Sequence, residues 1–126
     1  MKLAVDLVIR RGDDFLFVIR KYDPFKDCFA LPGGFVEEDE SVDRAAIREL
    51  WEETGVQPVG IKLIDVFSDP GRDPRGRVVS VAFFAQVPLT TEAVAADDAK
   101  EIAWLTYDEA MKRDLAFDHK RILERA

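Results

Sequence analysis

The sequence predicts one α+β domain in which helices pack on a mixed β-sheet. The chain has 126 residues, which fits a single domain spanning residues 1–126. Hydrophobic residues make up 48% of the chain and charged residues 34%, so an apolar core and a solvated surface are both available. Strand-like and helix-like segments follow one another in the order β-β-β-α-β-β-β-α, which is typical of a sheet covered by helices.

The first half of the chain contains a predicted hairpin, a short strand and a helix. The elements are strands over residues 3–9, 15–20 and 28–31, a loop over residues 21–27, and a helix that ends at about residue 54. Gly12 and Asp13 supply the hairpin turn. The third strand ends at Gly33 and Gly34, and two adjacent glycines permit a very close approach by another group.

The predicted helix has clear start and stop signals. Ser41 is a favourable N-cap residue, and Gly55 ends the helix. Its apolar side consists of Ala46, Ile47 and Leu50, which fall within one arc at about 100° per residue. This pattern predicts that the three side chains face the core.

The second half of the chain returns to strands before it ends in two helices. The predicted strands cover residues 59–67, 78–87 and 102–105, the loops residues 68–77 and 89–100, and the helices residues 107–113 and 117–125. Thr106 and Glu109 form a capping box at the start of the first of these helices. The loop over residues 68–77 holds two prolines, two glycines and three arginines.

Composition excludes several classes of protein. No run of roughly twenty apolar residues is present, so we expect no membrane span. Asp6 comes too early for a signal peptide, and the single cysteine, Cys28, allows no internal disulfide, so we expect a cytoplasmic protein. The net charge of −7 argues against a surface that grips nucleic acid.

The acidic excess is concentrated in residues 37–53. This window contains eight carboxylates and two cations, so the rest of the chain is almost neutral. One interpretation is a solvated helix face, and the other is a divalent-cation site. Glu49, Glu52 and Glu53 favour the second, because spacings of three and four residues place them on one helix face. Oxygen ligands suit Mg²⁺ or Mn²⁺, and no histidine or cysteine lies nearby in sequence to favour zinc.

The segment from Gly34 to Val56 resembles the Nudix box. Gly34 is followed after five residues by Glu40, and after seven more by Arg-Glu-Leu-Trp-Glu-Glu-Thr-Gly-Val over residues 48–56. The resemblance implies the Nudix fold, an α/β/α sandwich with a mixed sheet, and Mg²⁺-dependent hydrolysis of a nucleoside diphosphate linked to another group, with Mn²⁺ as a substitute.

The family resemblance also implies roles for particular residues. The implied metal ligands are Glu49, Glu52, Glu53 and the carbonyl of Gly33. Arg48 and Glu40 would form an orienting ion pair, and Glu49, Glu53 and Arg48 would take part in catalysis. For a catalytic base outside the box, the candidate is Glu101, with Asp97 and Asp98 behind it.

Two other segments resemble the ADP-ribose pyrophosphatase subgroup of this family. They are residues 68–76 and residues 115–119, Leu-Ala-Phe-Asp-His. The expected reaction is hydrolysis of ADP-ribose to AMP and ribose 5-phosphate, and relatives in the subgroup suggest a homodimer. The substrate-binding candidates are Asp69, Arg72, Arg75 and Arg77. Arginines recognise phosphate oxygens, but in a turn rich in proline and glycine they equally well balance nearby acids.

Two alternative functions remain open from the sequence. A housecleaning pyrophosphatase of the same fold would act on nucleoside triphosphates of the 8-oxo-dGTP type. A sensor would bind ADP-ribose without cleaving it. The lone histidine, His119, is expected to be structural.

Overall fold

The computed structural model describes residues 1–96 and 99–126 and shows a mixed sheet with helices on both faces. The strands are β1 (Lys2–Arg11), β2 (Asp14–Arg20), β3 (Phe29–Ala30), β4 (Gly33–Phe35), β5 (Lys62–Phe67), β6 (Val78–Val87) and β7 (Ala99–Thr106). The helices are α1 (Val42–Thr54), α2 (Tyr107–Met111) and α3 (His119–Arg125). Among the described helices, none combines the length and apolar character needed to cross a membrane.

Strand β1 is the centre of the sheet because it pairs with β2, β4 and β6. It runs parallel to β6 over its whole length, in a register that sets Lys2 opposite Val78. At its other edge it pairs antiparallel with β2 beside the hairpin turn and with β4, where Asp6 lies opposite Gly33. Strand β5 pairs with β6, and β3 and β7 pair with β2, all antiparallel. The predicted mixed sheet is therefore confirmed.

Strand β4 is an addition to the predicted order of elements. Two of its three residues are Gly33 and Gly34, and glycine is normally depleted in strands. A Cβ atom on Gly33 would lie 2.1 Å from the carbonyl oxygen of Val5, so this pairing requires glycine. The strand forms because β1 supplies its hydrogen-bond partners, which local sequence patterns do not reveal.

Alternate residues of β1 face two separate cores. Val5, Leu7 and Ile9 are fully buried in the cluster under α1, whereas Val8 is fully buried in the cluster under α3. The helices contribute Ala45, Ala46 and Leu50 to the first cluster and Ile122 and Leu123 to the second. Helices thus cover both faces of the sheet, and the predicted α/β/α sandwich is confirmed.

Helix α1 has the predicted boundaries but a different buried face. Gly55 follows it with φ 70°, and the Gly55 N–H donates to the carbonyl of Trp51 at 2.9 Å. The prediction that Ile47 lies in the core was wrong, since this side chain is 43% exposed. The buried residues are Ala45, Ala46, Leu50 and Thr54. The helix is rotated so that the side bearing Ala45, which packs against β1 and β4, turns inward.

The later elements differ from the predictions mainly at their ends. Strand β5 begins at Lys62 instead of residue 59, because its pairing with β6 starts at Lys62, opposite Phe84. Strand β7 begins at Ala99, within the segment predicted to be a loop. Helix α3 begins at His119 instead of residue 117, because Phe117 has φ 53°, a left-handed conformation that a right-handed helix excludes.

The capping box of α2 forms as the sequence predicts. The Thr106 hydroxyl accepts from the backbone N–H of Glu109, and the Glu109 carboxylate accepts from the backbone N–H of Thr106. The helix ends at Met111, two residues before the predicted end at residue 113. These reciprocal hydrogen bonds fix the point at which the chain leaves β7 for the helical layer.

Leu50→Ala should lower the free energy of unfolding by about 2–5 kcal/mol, because it leaves a cavity between α1 and the sheet. Ile47→Ala on the same helix is the matched control and should change it by less than about 0.5 kcal/mol, because Ile47 is partly solvated. Urea denaturation measures both values. Equal losses in the two variants would contradict the observed rotation of α1.

Candidate active site

A cleft of about 850 Å³ opens between α1, the β1–β4 pair and the loop that joins β5 to β6. Its lining combines carboxylates of α1 with basic side chains from the β2 end and from the β5–β6 loop. The α1 carboxylates of the cleft are Glu49, Glu52 and Glu53, and the cleft cations are Arg20, Lys21, Arg72 and Arg75. The carboxylates and the cations line the same cleft. The cations suit the anionic oxygens of a ligand, and the carboxylates suit a metal ion bound to that ligand.

The glycines of β4 bring the backbone against two of the α1 carboxylates. The Gly33 N–H donates to Oε1 of Glu53 at 3.0 Å. A Cβ atom on Gly34 would lie 2.4 Å from the carboxyl carbon of Glu49, so the carboxylate occupies the space that glycine leaves open. The glycine pair thus sets the position of Glu49 and Glu53. Whether the Gly33 carbonyl binds a metal stays a prediction.

Arg48 is the cation that holds this side of the cleft together. Its Nη2 and Nε donate to Glu40 at 2.6 and 2.9 Å, and its Nη1 donates to Glu49 at 2.7 Å and to Glu52 at 3.3 Å. Nη2 also donates to the carbonyl of Phe35 on β4 at 3.1 Å. The hydrogen bonds from Arg48 lower the pKa of Glu40 to about 2, so Glu40 stays ionised.

The Glu49 side chain is largely buried. Burial raises its pKa above the ordinary value, and the nearby charges of Glu52 and Glu40 act in the same direction, although Arg48 opposes them. A carboxylate in this state gains from an additional cation. A bound metal ion would therefore stabilise the ionised form of Glu49.

The donor set fits a hard divalent cation. All three α1 carboxylates supply oxygen, which Mg²⁺ and Mn²⁺ prefer. In the described residues no three acidic, histidine or cysteine side chains are already gathered as a finished metal site. The guanidinium of Arg48 instead bridges Glu49 and Glu52, so a cation already lies between two of the candidate ligands.

Arg75 lies among aromatic rings in the cleft. Its Cζ is 5.3 Å from the ring centroid of Phe35 and 5.4 Å from that of Phe117, and Nη2 donates to Asp73 at 2.7 Å. Arg20 lies over the other part of the same surface, 4.9 Å from the centroid of Phe117. Flat apolar faces and guanidinium groups thus alternate here, which suits a ligand with a planar ring beside anionic groups.

A buried polar network under the cleft was not anticipated from the sequence. Asp6 on β1 is 7% exposed, accepts from the Ser80 hydroxyl at 2.5 Å, and lies 3.2 Å from Nε2 of His119. The Leu31 N–H donates to Nδ1 of His119 at 2.9 Å, which leaves Nε2 of the same ring facing Asp6. A lone charge in an apolar strand was the available signal, since such a charge requires partners.

The ionised form of Asp6 is favoured by this network. Burial raises the pKa of the carboxyl, but His119, the Ser80 hydroxyl and the Arg72 guanidinium together lower it by more, so the pKa lies below its ordinary value. Arg72 also makes two hydrogen bonds to Asp118, at 2.9 and 2.7 Å. The network therefore links β1, β6, the β5–β6 loop and the start of α3.

Five predicted site residues lie outside the cleft lining in the described part of the chain. Glu40 and Arg48 lie behind the α1 carboxylates, and the other three are Asp69, Arg77 and Glu101. The Asp69 side chain is 64% exposed and forms an ion pair with Arg121 on α3. Arg77 is exposed, and its carbonyl accepts from the Lys2 N–H. Glu101 is exposed on β7, opposite Ile19. Its predicted companions at positions 97 and 98 lie outside the described residues.

Comparison with known proteins identifies the family. The family model "NUDIX domain" matches residues 1–126. The chain belongs to the Nudix family. The chain is 47% identical to an "ADP-ribose pyrophosphatase" of Methanocaldococcus jannaschii over 97% of its own length and 70% of that protein. It is also 34% identical to the "ADPR responsive transcriptional repressor NtrR" of Acinetobacter baylyi, over 98% of this chain and about half (52%) of that protein.

Solved Nudix structures share the fold. The Nudix domain of Shewanella oneidensis NrtR complexed with ADP ribose superposes with a TM-score of 0.92 at 30% identity, covering 99% of this chain and 85% of that one. A bifunctional NMN adenylyltransferase/ADP ribose pyrophosphatase of Francisella tularensis, complexed with AMP and a manganese ion, gives 0.86 at 35% identity, covering 98% and 40%. Nudix hydrolases in general use divalent metal ions, so a metal requirement is expected of the family.

The structure brings residues of the Nudix box into contact with one another. It begins at Gly34 on β4, passes through Glu40, continues along α1 from Arg48 to Thr54, and ends at Gly55 and Val56 after the helix. Arg48 donates hydrogen bonds to Glu40, Glu49 and Glu52 of the box. The fourth carboxylate of the box, Glu53, accepts from the Gly33 N–H on β4. The spacing in the motif therefore reflects the geometry of a strand, a loop and a helix closing around one set of carboxylates.

Gly34→Ala should weaken Mn²⁺ binding by about 10–100-fold, because the new methyl group displaces the Glu49 carboxylate. Stability should change little, since the displaced group is the end of a flexible side chain. Gly33→Ala is the contrasting variant and should lower stability, because its methyl group would meet the Val5 backbone. Electron paramagnetic resonance of Mn²⁺ and thermal unfolding separate the two effects. Unchanged Mn²⁺ affinity in Gly34→Ala would contradict this role of Gly34.

Asp6→Asn should lower the free energy of unfolding at pH 7 by about 1.5–3 kcal/mol, because a charged acceptor is lost from the buried network. The pKa of Asp6 is lower in the folded than in the unfolded chain, so its contribution is complete above pH 3.8 and is lost as the pH falls further. The difference in the free energy of unfolding between wild type and Asp6→Asn should therefore become smaller as the pH falls toward about 2. Urea denaturation at both pH values measures it, and a constant difference would show that Asp6 is not ionised in the folded protein.

Proposed function

We propose that the protein is a divalent-metal-dependent pyrophosphohydrolase that cleaves ADP-ribose to AMP and ribose 5-phosphate. The observation that carries this proposal is a cleft that joins the α1 carboxylates to guanidinium groups and aromatic rings. A diphosphate linked to a purine nucleoside presents anionic oxygens and a planar ring, which match these two kinds of surface. The 47% identity to a protein named ADP-ribose pyrophosphatase supports the same substrate.

Mg²⁺, with Mn²⁺ as a substitute, is the proposed metal. Glu49, Glu52 and Glu53, with the carbonyl of Gly33, would hold it. When bound, such an ion neutralises charge on the diphosphate and lowers the pKa of a coordinated water, which is the chemistry that phosphoanhydride hydrolysis needs. The protein's own contribution is to place the carboxylates, and the contacts of Arg48 and of the Gly33 N–H do this before any ligand arrives.

The remaining steps fall to side chains of this chain. A carboxylate, Glu53 or Glu101, would take a proton from the attacking water. The water oxygen then bonds to one phosphorus of the diphosphate, and the bond from that phosphorus to the bridging oxygen breaks, which gives AMP and ribose 5-phosphate. Glu53 lies in the cleft, whereas Glu101 is exposed on β7. Among the predicted substrate-binding residues, Arg72 and Arg75 line the cleft and would offset phosphate charge, whereas Asp69 and Arg77 would contact only parts of a substrate outside it.

The two alternative functions differ in product. A triphosphate pyrophosphatase would release inorganic pyrophosphate, and an ADP-ribose sensor would release nothing. The relative named as a transcriptional repressor keeps the sensor hypothesis relevant, although this chain covers about half (52%) of that protein. The intact set of three carboxylates on α1, arranged by Arg48, favours hydrolysis over binding alone.

Purified protein incubated with ADP-ribose and Mg²⁺ should release AMP and ribose 5-phosphate. Glu53→Gln should lower kcat by about 10²–10⁴-fold, and it should stay folded because the amide oxygen still accepts from the Gly33 N–H. Glu38→Gln is the matched control and should keep full activity, because Glu38 is exposed and does not line the cleft. Chromatography of the nucleotide products and circular dichroism provide the readouts.

Three results of that experiment would overturn the proposal. Intact ADP-ribose after long incubation, together with tight binding by calorimetry, would indicate a sensor. Pyrophosphate released from an oxidised triphosphate, without AMP from ADP-ribose, would indicate the housecleaning activity. Full activity in Glu53→Gln would place the catalytic centre elsewhere.

Other expectations about the protein's setting remain predictions. Its net charge of −7 argues against nucleic acid as a partner. The homodimer suggested by the subgroup is testable by light scattering. Location in the cytoplasm rests on the single cysteine, Cys28, and stays an inference from composition.

A further inference from the structure

Arg72 is a nearly buried cation in the cleft lining. Its side chain is 5% exposed and comes from the loop between β5 and β6. Asp118 accepts two hydrogen bonds from it, from Nε at 2.9 Å and from Nη2 at 2.7 Å. Because the guanidinium and the carboxylate are both planar, a bidentate pair fixes the orientation of the arginine as well as its position.

One edge of the Arg72 guanidinium is left without an acceptor. The second N–H of Nη2 is on the side of Asp6, whose Oδ2 is 3.7 Å away, too far for a hydrogen bond. Nη1 has no acceptor among the described residues. In this part of the chain every fully buried side-chain nitrogen has a partner, so Nη1 retains contact with the solvent of the cleft.

Asp118 gives up its usual local role in order to bind Arg72. It is the N-cap residue of α3, yet its side chain makes no capping hydrogen bond. Aspartate is favoured at this position because it normally accepts from the first N–H groups of the helix. The preceding residue, Phe117, has φ 53°, a conformation that is strained for a residue with a side chain. The Asp118 carboxylate therefore binds Arg72 of the cleft lining instead of capping α3.

We propose that Asp118 is a positioning residue for substrate binding: it fixes the Arg72 guanidinium so that Nη1 is presented to a phosphate oxygen of the substrate. This inference rests on the proposed function and adds a residue to it. Asp6 lies beside the pair but is already hydrogen-bonded to Ser80 and His119, so it does not compete for Nη1. A free arginine would sample many orientations, whereas the paired one is preorganised for an anion.

Asp118→Asn should raise the KM for ADP-ribose by about tenfold or more, because an amide cannot accept both hydrogen bonds and Arg72 loses its fixed orientation. The kcat should stay within about twofold, since the α1 carboxylates are untouched. The affinity for Mn²⁺ alone should not change. Asp118→Glu keeps the carboxylate and should recover part of the lost affinity.

The matched control is another ion pair of the same helix. Arg125 of α3 pairs with Asp65 on β5, and both side chains are about half-exposed and outside the cleft lining. Asp65→Asn should therefore leave KM unchanged. A merely structural role for Asp118 would lower the melting temperature of Asp118→Asn while KM stays at the wild-type value, and that result would overturn the proposal.

Arg72→Lys provides a second test that does not depend on the folding of Asp118→Asn. Lysine keeps the charge but cannot form the bidentate pair, so KM should rise to a similar extent. In the Arg72→Lys/Asp118→Asn double variant the effects should not add, because both single changes remove the same arrangement. Additive effects would show that the two residues act independently and would contradict the proposal.

Calorimetric titration with ADP-ribose in the Glu53→Gln background separates this inference from the proposed function. If wild type releases no AMP but Asp118→Asn still weakens ADP-ribose binding about tenfold, the hydrolase proposal fails and the positioning role stands. If hydrolysis is observed and Asp118→Asn binds ADP-ribose as tightly as its parent, only the positioning role is overturned. If ADP-ribose does not bind at all, both are overturned.

Discussion

The guanidinium of Arg48 is the group on which the arrangement of the cleft depends. Carboxylates placed three and four residues apart on a helix repel one another. Arg48 contacts Glu40, Glu49 and Glu52 at once, and it also donates to the carbonyl of Phe35 on β4. The same group therefore balances the charge of α1 and joins the helix to the strand, so the fold and the candidate site share one contact.

Much of the acidic side of the cleft could be predicted because the information is local in sequence. Ser41 and Gly55 mark the ends of α1, and the spacing of its glutamates places them on one face whatever surrounds the helix. The adjacent glycines at positions 33 and 34 indicated close approach, and the structure shows what approaches them: the Val5 carbonyl at Gly33 and the Glu49 carboxylate at Gly34.

Features that depend on long-range contacts could not be predicted in the same way. Ile47 and Leu50 are both apolar, and the packing of α1 on the sheet decides which face of the helix is covered. Asp6 meets Ser80 and His119 from distant parts of the chain, and no periodicity links those positions. A charge among the buried residues of β1 indicated that partners were needed, but only the topology of the sheet identifies them.

The parallel pairing of β1 with β6 joins two segments that are synthesised at different times. β1 is synthesised before β6, yet β6 is its partner along its full length, from Lys2 opposite Val78 onward. The earlier strands β2 and β4 pair with parts of one edge of β1, so its other edge stays unpaired until β6 is made. Until then the nascent chain carries an unpaired strand edge, which is a site for chaperone binding or for aggregation.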